Sequence, residues 1–277
     1  MRLFKKQRTL QTFLAKKTDT IGFVPTMGAL HQGHLSLIEK ARKENTLVVV
    51  SIFVNPTQFD QTSDLDNYPR TLDADLDLLE KMDPNILVFA PDSQEIYGPQ
   101  PSRKTYDFLG LDQVMEGKIR SGHFQGVATV VEKLFGLVMP QTAYFGEKDF
   151  QQLQIIRKLV ADKNLPITVV GCPIIREKDG LAMSSRNRRL NPSERSNAPI
   201  LFRALSEAQQ LFRSQDKKTA YQHVEQLFEQ QPNVILDYFT ICEENTLTEV
   251  ISSQQTNIRG FVAAQLGDIR LIDNLPF

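Results

Sequence analysis

The sequence has few cysteines and almost no excess of charge of either sign. Only Cys172 and Cys242 occur, and they lack the paired spacing that zinc and redox sites require. We therefore expect reduced, packed thiols in a cytoplasmic protein. The 32 basic and 33 acidic residues give a formal net charge of -1, so no global basic field attracts nucleic acid or an anionic membrane. Any anion site must be local.

Long apolar runs are also missing. The first six residues, Met-Arg-Leu-Phe-Lys-Lys, begin with a basic charge but lack the apolar segment of about 7–15 residues and the cleavage site of a signal peptide. No stretch approaches the roughly 18 uncharged apolar residues of a membrane span. With 41% hydrophobic and 23% charged residues over a length of 277, the composition is that of a globular protein with one large α/β domain or two domains.

Short β-rich runs alternate with helical patterns through the first two-thirds of the chain, which is typical of βαβ units around a parallel sheet. We predict a Rossmann-like parallel sheet domain over residues 1–175 and a smaller C-terminal α+β lid domain over residues 176–277. The predicted strands of the first domain are Ile21–Val24, Thr46–Phe53, Ile86–Phe89, Ala143–Phe145 and Thr168–Cys172.

In the C-terminal part, Lys178-Asp179-Gly180 predicts a tight turn. Asn191 as cap, Pro192 at the first helical position and Glu194 predict the start of a long helix to about Phe212. A further helix is predicted from Thr219 to Glu229. Strands are predicted at Val234–Cys242, Gly260–Leu266 and Ile269–Ile272.

The strongest local signal lies between the first strand and the first helix. It reads Pro25-Thr26-Met27-Gly28-Ala29-Leu30-His31-Gln32-Gly33-His34. The carboxyl edge of an open sheet and a helix N-terminus together present N–H groups and a positive dipole end to an anion. Gly28 and Gly33 let a phosphate approach the backbone, and His31 and His34 can donate hydrogen bonds to it. The segment is neither a Gly-x-Gly-x-x-Gly fingerprint nor a Walker loop, which disfavours hydride transfer and P-loop chemistry.

Further polar segments leave predicted strands. Ser184, Ser185 and Arg186 suit a polyphosphate, although alone they could be a polar linker. Lys148 can neutralise phosphate, whereas Asp149 could equally be only a helix cap. The segments Val54–Phe59 and Arg120–Phe124 add an amide, a cation and an imidazole. Each is weak alone, but all sit at predicted strand ends. A lone histidine is more often structural, and His223 is interpreted so.

The histidine segment followed by Met-Ser-Ser-Arg resembles the nucleotidyltransferase superfamily that includes class I aminoacyl-tRNA synthetases. The usual second signature there is Lys-Met-Ser-Lys-Ser, from which this chain departs with Ala182 and Arg186. The departure fits the pantothenate synthetase family, whose motifs this sequence resembles from about Gly22 to Asn191. Besides the histidine segment, the matching motifs are Phe53-Val54-Asn55-Pro56-Thr57-Gln58-Phe59, Tyr68-Pro69-Arg70-Thr71, Gly146-Glu147-Lys148-Asp149-Phe150-Gln151-Gln152 and Ala182-Met183-Ser184-Ser185-Arg186-Asn187.

The resemblance implies that pantoate attacks the α-phosphorus of ATP to give pantoyl-adenylate, and that β-alanine then displaces AMP. It implies that Gln58 and Gln152 hold pantoate, that Gln58 can also meet β-alanine, and that His34 is the principal catalytic donor. The implied catalytic residues are His34, His31, Lys148, Ser184, Ser185 and Arg186. The implied ATP contacts are Met27, Gly28, Ala29, Leu30, His31, Gln32, Gly33, His34, Gly146, Glu147, Lys148, Asp149, Ile175, Met183, Ser184, Ser185 and Arg186.

The same resemblance implies Mg²⁺ with the ATP and a homodimer. The protein ligands of the metal stay open, because Asp73-Ala74-Asp75 carries alanine where some relatives have a carboxylate.

Two other functions are open to the sequence. One is a nucleotidyltransferase acting on a phosphate acceptor, which should present Arg or Lys where this chain has Gln58 and Gln152. The other is an ATP sensor without turnover, which leaves the histidine pair unexplained.

Overall fold

The computed structural model describes residues 1–60, 62–214, 216–231, 233–250 and 255–277. They fall into two units. The first comprises Met1–Glu147 and Gln151–Pro173, and the second comprises Lys148–Phe150 and Ile174–Phe277.

A parallel sheet organises the first unit. Its strands are β1 Arg2–Phe4, β2 Ile21–Thr26, β3 Leu47–Ile52, β4 Leu87–Phe89, β5 Thr142–Gly146 and β6 Thr168–Cys172. They lie in the order β1-β4-β3-β2-β5-β6, with parallel pairing throughout. From β2 the chain continues to β3 and β4 on one side, and it later returns to place β5 and β6 on the other side of β2. Open α/β sheets bind ligands at such a switch point, outside the carboxyl ends of the strands.

Helices alternate with the strands in this part of the chain, and longer ones pack apolar residues on the sheet. Their bounds are α1 Gln7–Leu14, α2 Gln32–Glu44, α3 Thr62–Asp66, α4 Leu72–Met82, α5 Ser93–Tyr97, α6 Met115–Ile119, α7 His123–Val138 and α8 Phe150–Asp162. Leu37, Ile38 and Ala41 of α2 and Leu79 of α4 are buried against strand residues such as Val50. Apolar residues at helical spacing on one face of a helix are the usual means by which a helix packs on a sheet.

The second unit packs helices against an antiparallel sheet. The helices are α9 Pro192–Asn197, α10 Ile200–Ser214 and α11 Lys217–Glu229, and the strands are β7 Val234–Glu243, β8 Ile258–Leu266 and β9 Ile269–Pro276. The sheet order is β7-β8-β9. Its core joins Leu201, Leu205 and Phe212 of α10 to Val262 and Leu266 of β8. The Rossmann-like parallel sheet and the small α+β C-terminal region predicted from the sequence are confirmed.

Several details differ from the sequence predictions, and three of them concern the extent of whole elements. Strand β1 was not predicted, because three residues are too few to show a period. The long helix predicted from Asn191 to Phe212 is wrong: α9 ends at Asn197 and α10 begins at Ile200, since Pro199 has no N–H to continue the helix. Strand β9 continues to Pro276, beyond the predicted Ile272. The predicted boundary after residue 175 and the lid role stay predictions. Among the described residues, no helix is both long and apolar enough to span a membrane.

Candidate active site

The histidine segment links the carboxyl end of β2 to the first turn of α2. The backbone turns at Gly28 and Ala29, with φ of 81° and 51°. A positive φ costs glycine little but strains a residue with a Cβ atom, so Ala29 is held in place by its surroundings. His31 is the N-cap of α2, which places both imidazoles at the positive end of that helix.

Hydrogen bonds fix the tautomers of the two imidazoles. Nδ1 of His31 accepts from the N–H of Gly33 at 3.1 Å, and Nδ1 of His34 accepts from the N–H of His31 at 3.4 Å. The ring centroids lie 4.1 Å apart, and the ring planes are tilted by 44° to each other. Because a backbone N–H can only donate, each neutral ring carries its proton on Nε2. The cap therefore turns both histidines into Nε2–H donors at the mouth of α2.

Asp75 anchors the loop before the histidines. Its carboxylate is 2% exposed and accepts from the N–H of Ala29 at 2.9 Å and of Leu30 at 2.8 Å. Thr71 donates to the same carboxylate at 3.3 Å. These two N–H groups thus bond to protein, and the pair of histidines is positioned by a buried acid of α4. The sequence showed Asp75 only as part of an acid-rich segment, because an alternation of acids on a helix does not show which one is buried.

Gln58 lies on a short 3-10 turn, Pro56–Gln58, after β3. Its Oε1 accepts from Nδ2 of Asn55 at 3.0 Å, and its Nε2 donates to Sδ of Met27 at 3.1 Å. Nδ1 of His123 donates to the backbone carbonyl of Gln58 at 2.7 Å. Because Nε2 of His123 lies 3.1 Å from the guanidinium of Arg120, the ring holds its proton on Nδ1. The segment from Arg120 to His123 therefore supports the turn of Gln58.

Two adjacent glutamines in α8 have different roles. Gln151 is buried and fully bonded: its Oε1 accepts from the N–H of Glu116 at 3.0 Å, and its Nε2 donates to the carbonyls of Leu111 and Val114, both at 2.8 Å. Gln152 is half-buried, and its side chain forms no hydrogen bond with another described residue. The sequence singled out Gln152, and its amide is the one of the two that is available to a ligand.

In the second unit, Lys148 is fixed through its backbone. Its carbonyl accepts from Nδ2 of Asn274 on β9 at 2.9 Å, and the Oδ1 of Asn274 accepts from Arg259 at 2.7 Å. The ammonium of Lys148 lies 3.9 Å from the carboxylate of Asp149. Sequence reasoning missed Asn274 and Arg259, since nothing near them in the chain marks them as neighbours of Lys148.

The Met-Ser-Ser-Arg segment follows a hairpin. The N–H of Met183 donates to the carbonyl of Ile175 at 2.9 Å, and Gly180 turns the hairpin with a φ of 91°. Ser184 caps the 3-10 helix Ser185–Arg189 by accepting from the N–H of Arg186 at 3.3 Å. Ser184 and Arg186 therefore lie at the start of a helical turn, where N–H groups and a guanidinium suit an anion.

A buried ion pair holds this hairpin. The guanidinium of Arg176 donates to both carboxylate oxygens of Asp273, at 2.6 and 3.1 Å. Burial raises the pKa of Asp273, and Arg176 opposes that rise. The Arg176 side chain also stacks on Phe202 at 4.1 Å. Nothing in the sequence indicates this pair, because its members lie on opposite sides of the α10–α11 segment in the chain.

The candidate site residues divide between the two units. The first unit carries Met27, Gly28, Ala29, Leu30, His31, Gln32, Gly33, His34, Gln58, Gly146, Glu147 and Gln152, and the second carries Lys148, Asp149, Ile175, Met183, Ser184, Ser185 and Arg186. Within the first unit, β2 and β5 are neighbours, so Met27, which follows β2, and Gly146, the last residue of β5, lie at adjacent strand ends. Within the part of the chain that the structure describes, no group of three or more His, Cys, Asp or Glu side chains could hold a metal ion.

A parallel α/β sheet with polar residues at its carboxyl edge, followed by a small antiparallel unit, is an architecture typical of α/β nucleotide-binding proteins. The sequence model of the family described as pantoate-beta-alanine ligase matches residues 2–276. The chain is 48% identical to pantothenate synthetase of Christiangramia forsetii over 279 residues, covering 99% of each chain.

Solved structures agree. The crystal structure of pantothenate synthetase from Thermus thermophilus superposes with a TM-score of 0.93 at 44% identity, covering 99% of each chain. The pantoate-beta-alanine ligase of Francisella tularensis, complexed with β-γ ATP and β-alanine, gives a TM-score of 0.82 at 34% identity, covering 100% of this chain and 97% of that one. This chain belongs to the pantoate–β-alanine ligase family.

Proposed function

We propose that the protein condenses pantoate with β-alanine at the expense of ATP, and releases pantothenate, AMP and pyrophosphate. The observation that supports this most directly is the pair of Nε2–H donors on His31 and His34 at the N-terminus of α2. The complex of the Francisella tularensis relative with β-γ ATP and β-alanine supports ATP and β-alanine as substrates.

The reaction has two steps. A carboxylate oxygen of pantoate attacks the α-phosphorus of ATP, the bond from that phosphorus to the bridging oxygen breaks, and pyrophosphate leaves. The neutral amine of β-alanine then attacks the acyl carbon of the adenylate, AMP leaves, and the nitrogen loses a proton. Negative charge grows on the phosphate oxygens in the first step. Nε2–H groups held in advance toward such charge lower the barrier without further reorganisation.

The residues take roles that match their chemistry. His31 and His34 donate to the reacting phosphate, and Lys148 and Arg186 neutralise charge on the triphosphate. Ser184 and Ser185 supply hydroxyl donors. Gln58 and Gln152 hold pantoate through neutral amides, and Gln58 also meets β-alanine. The remaining proposed ATP contacts are Met27, Gly28, Ala29, Leu30, Gln32, Gly33, Gly146, Glu147, Asp149, Ile175 and Met183.

The proposal also includes Mg²⁺, a homodimer and a cytoplasmic location. Mg²⁺ prefers oxygen ligands and is commonly bound through substrate phosphates with few protein groups, and ATP itself supplies such phosphates. The homodimer follows the family resemblance described above, and the cytoplasmic location follows the expectation of reduced thiols at Cys172 and Cys242.

The test is a reconstitution with the purified chain. ATP, Mg²⁺, pantoate and β-alanine are supplied together, and AMP and pantothenate are measured. We expect equal amounts of both products, and none when ATP or Mg²⁺ is left out. ATP bound without any AMP would indicate a nucleotide sensor, and AMP transfer to a phosphorylated acceptor instead of pantoate would indicate a nucleotidyltransferase of another kind.

A further inference from the structure

Three side chains of the first unit form a hydrogen-bonded chain that ends at Gln58. The hydroxyl of Tyr97, the last residue of α5, donates to Oδ1 of Asn55 at 2.6 Å. Nδ2 of Asn55 donates to Oε1 of Gln58 at 3.0 Å. Asn55 is 1% exposed and Gln58 8% exposed, so water does not compete strongly for these bonds.

The oxygen and the nitrogen of the Asn55 amide can be told apart, because each faces a backbone group that can only donate or only accept. Its Oδ1 accepts from the N–H of Thr57 at 3.3 Å, and that group can only donate. Its Nδ2 donates to the carbonyl of Gly126 at 3.3 Å, and that group can only accept. Turning this amide over would place its Nδ2 against the N–H of Thr57, donor against donor, and its Oδ1 against the carbonyl of Gly126, acceptor against acceptor. Burial raises the pKa of Tyr97, so its hydroxyl keeps the proton that it donates.

The orientation of Gln58 follows from that of Asn55. An Nδ2–H group of Asn55 requires an acceptor opposite, so Gln58 places Oε1 there and Nε2 on the other side of its amide. Nε2 contacts Sδ of Met27 at 3.1 Å, and a thioether is a weak acceptor that a substrate oxygen can replace. The atom that Gln58 offers to a ligand is therefore an N–H donor.

We propose that Tyr97 is a positioning residue which, through Asn55, fixes the amide of Gln58 so that this subsite selects a hydrogen-bond acceptor, such as a carboxylate or hydroxyl oxygen of the acid substrate. This inference rests on the proposed function, because it takes Gln58 to bind pantoate. Beyond that function, it states that Gln58 is the donor in this contact and that Tyr97, a residue outside the site, maintains this orientation.

The first test is Tyr97→Phe, which removes the hydroxyl and keeps the ring. Without that bond the Asn55 amide is less firmly oriented, and we expect the KM for pantoate to rise roughly three- to tenfold, the usual range for a neutral hydrogen bond. The KM for ATP should stay within about twofold of wild type. The matched control is Tyr106→Phe, which removes another half-buried hydroxyl, donated to Glu132 at 2.7 Å. It should leave both KM values unchanged.

The second test compares Gln58→Glu with Gln58→Ala. If an N–H faces the substrate, the carboxylate places a negative oxygen against an acceptor, and pantoate should bind more weakly to Gln58→Glu than to Gln58→Ala. A lower KM for pantoate in Gln58→Glu than in Gln58→Ala would overturn the proposal, as would a Tyr97→Phe enzyme that matches wild type in both KM values or raises both equally. Pantothenate formation by the wild type distinguishes failure of the Tyr97 proposal from failure of the proposed function. An inactive wild type would refute both proposals, whereas an active wild type with unaffected variants would refute only the role of Tyr97.

Discussion

The imidazoles of His31 and His34 share one arrangement, in which Nδ1 accepts a backbone N–H and Nε2 keeps the proton. His31→Ala and His34→Ala remove the donors that we propose act on charge developing on the phosphate, and loss of one such donor typically slows the reaction by about 10²–10³. We expect losses of this size in single-turnover formation of the adenylate, with an unchanged circular dichroism spectrum.

The control for the histidine variants is His223→Ala. His223 lies on α11, and its Nε2 bonds to Glu207 at 2.6 Å, so its loss should leave the adenylation rate near that of wild type. Wild-type rates in either His31→Ala or His34→Ala would refute the assignment of these residues.

The two glutamines that we propose hold pantoate should respond selectively. In the proposed binding mode, Gln58→Ala and Gln152→Ala each leave a polar group of pantoate without a partner, which costs about 1–3 kcal/mol. We expect the KM for pantoate to rise by the corresponding factor of about 5–150, while ATP binding measured by calorimetry without pantoate stays near normal. Gln151→Ala is the contrasting variant: it breaks bonds to Leu111 and Val114 and should lower stability more than pantoate affinity. Equal losses of ATP and pantoate affinity would misplace the pantoate subsite.

Asp75 is a single residue on which the histidine loop depends. Asp75→Asn replaces one acceptor oxygen by a donor, so the N–H of Ala29 or Leu30 loses its partner, and we expect the free energy of unfolding to fall by about 1–3 kcal/mol. The measurement is urea unfolding monitored by circular dichroism. The control is Asp73→Asn, an exposed acid of the same first turn, which should change stability little. Unchanged stability together with a higher Mg²⁺ requirement would make Asp75 a metal ligand instead of a loop anchor.

At the scale of elements, α7 approaches the turn of Gln58 through Gly126. A Cβ atom there would lie 2.2 Å from the carbonyl oxygen of Thr57, so Gly126→Ala must push the helix or the turn aside, at a cost of about 1–3 kcal/mol. We expect a lower melting temperature and a raised KM for pantoate.

The same helix offers a matched control. Gly136 has no atom within 4 Å of an added Cβ, and Gly136→Ala in an exposed helical position should stabilise the protein by up to about 1 kcal/mol. A Gly126→Ala protein as stable as Gly136→Ala would show that α7 and the turn can separate freely.

The elements that could be predicted from the sequence are those marked by local patterns of residues. The strands before α2 and α8 are apolar runs ended by motifs, and the capping box of Asn191 and Glu194 forms as predicted. Prediction failed where the decisive fact is tertiary or lies in one residue. Pro199 divides the predicted helix into α9 and α10, and β1 becomes a strand only by pairing with β4. The roles of Asp75 and Tyr97 depend on partners 46 and 42 residues away, which no spacing along the chain reveals.

At the scale of the whole molecule, each unit builds its own cluster by a different device. The first uses a helix cap and a buried acid at the carboxyl edge of a parallel sheet. The second uses a hairpin held by the Arg176–Asp273 pair and a strand residue, Asn274, that bonds to the backbone of Lys148. The first cluster presents imidazole N–H groups and the second presents cations, and both kinds of group are suited to an anion.

The order of events tests the whole enzyme. Because pantoate itself attacks ATP, the first step needs no amine, and labelled pyrophosphate should exchange into ATP in the presence of pantoate alone. Arg186→Ala should weaken this exchange, since a hydrogen bond to a charged group contributes roughly 1.5–3 kcal/mol, which corresponds to a loss of about 10–150-fold in the exchange rate. The neighbouring cation Arg195, which pairs with Asp179 at 2.6 Å, provides the control, and Arg195→Ala should leave exchange near normal. If exchange required β-alanine, pantoate and β-alanine would have to react with ATP in one concerted step. That result would rule out a free adenylate intermediate, even if pantothenate and AMP were still formed in equal amounts.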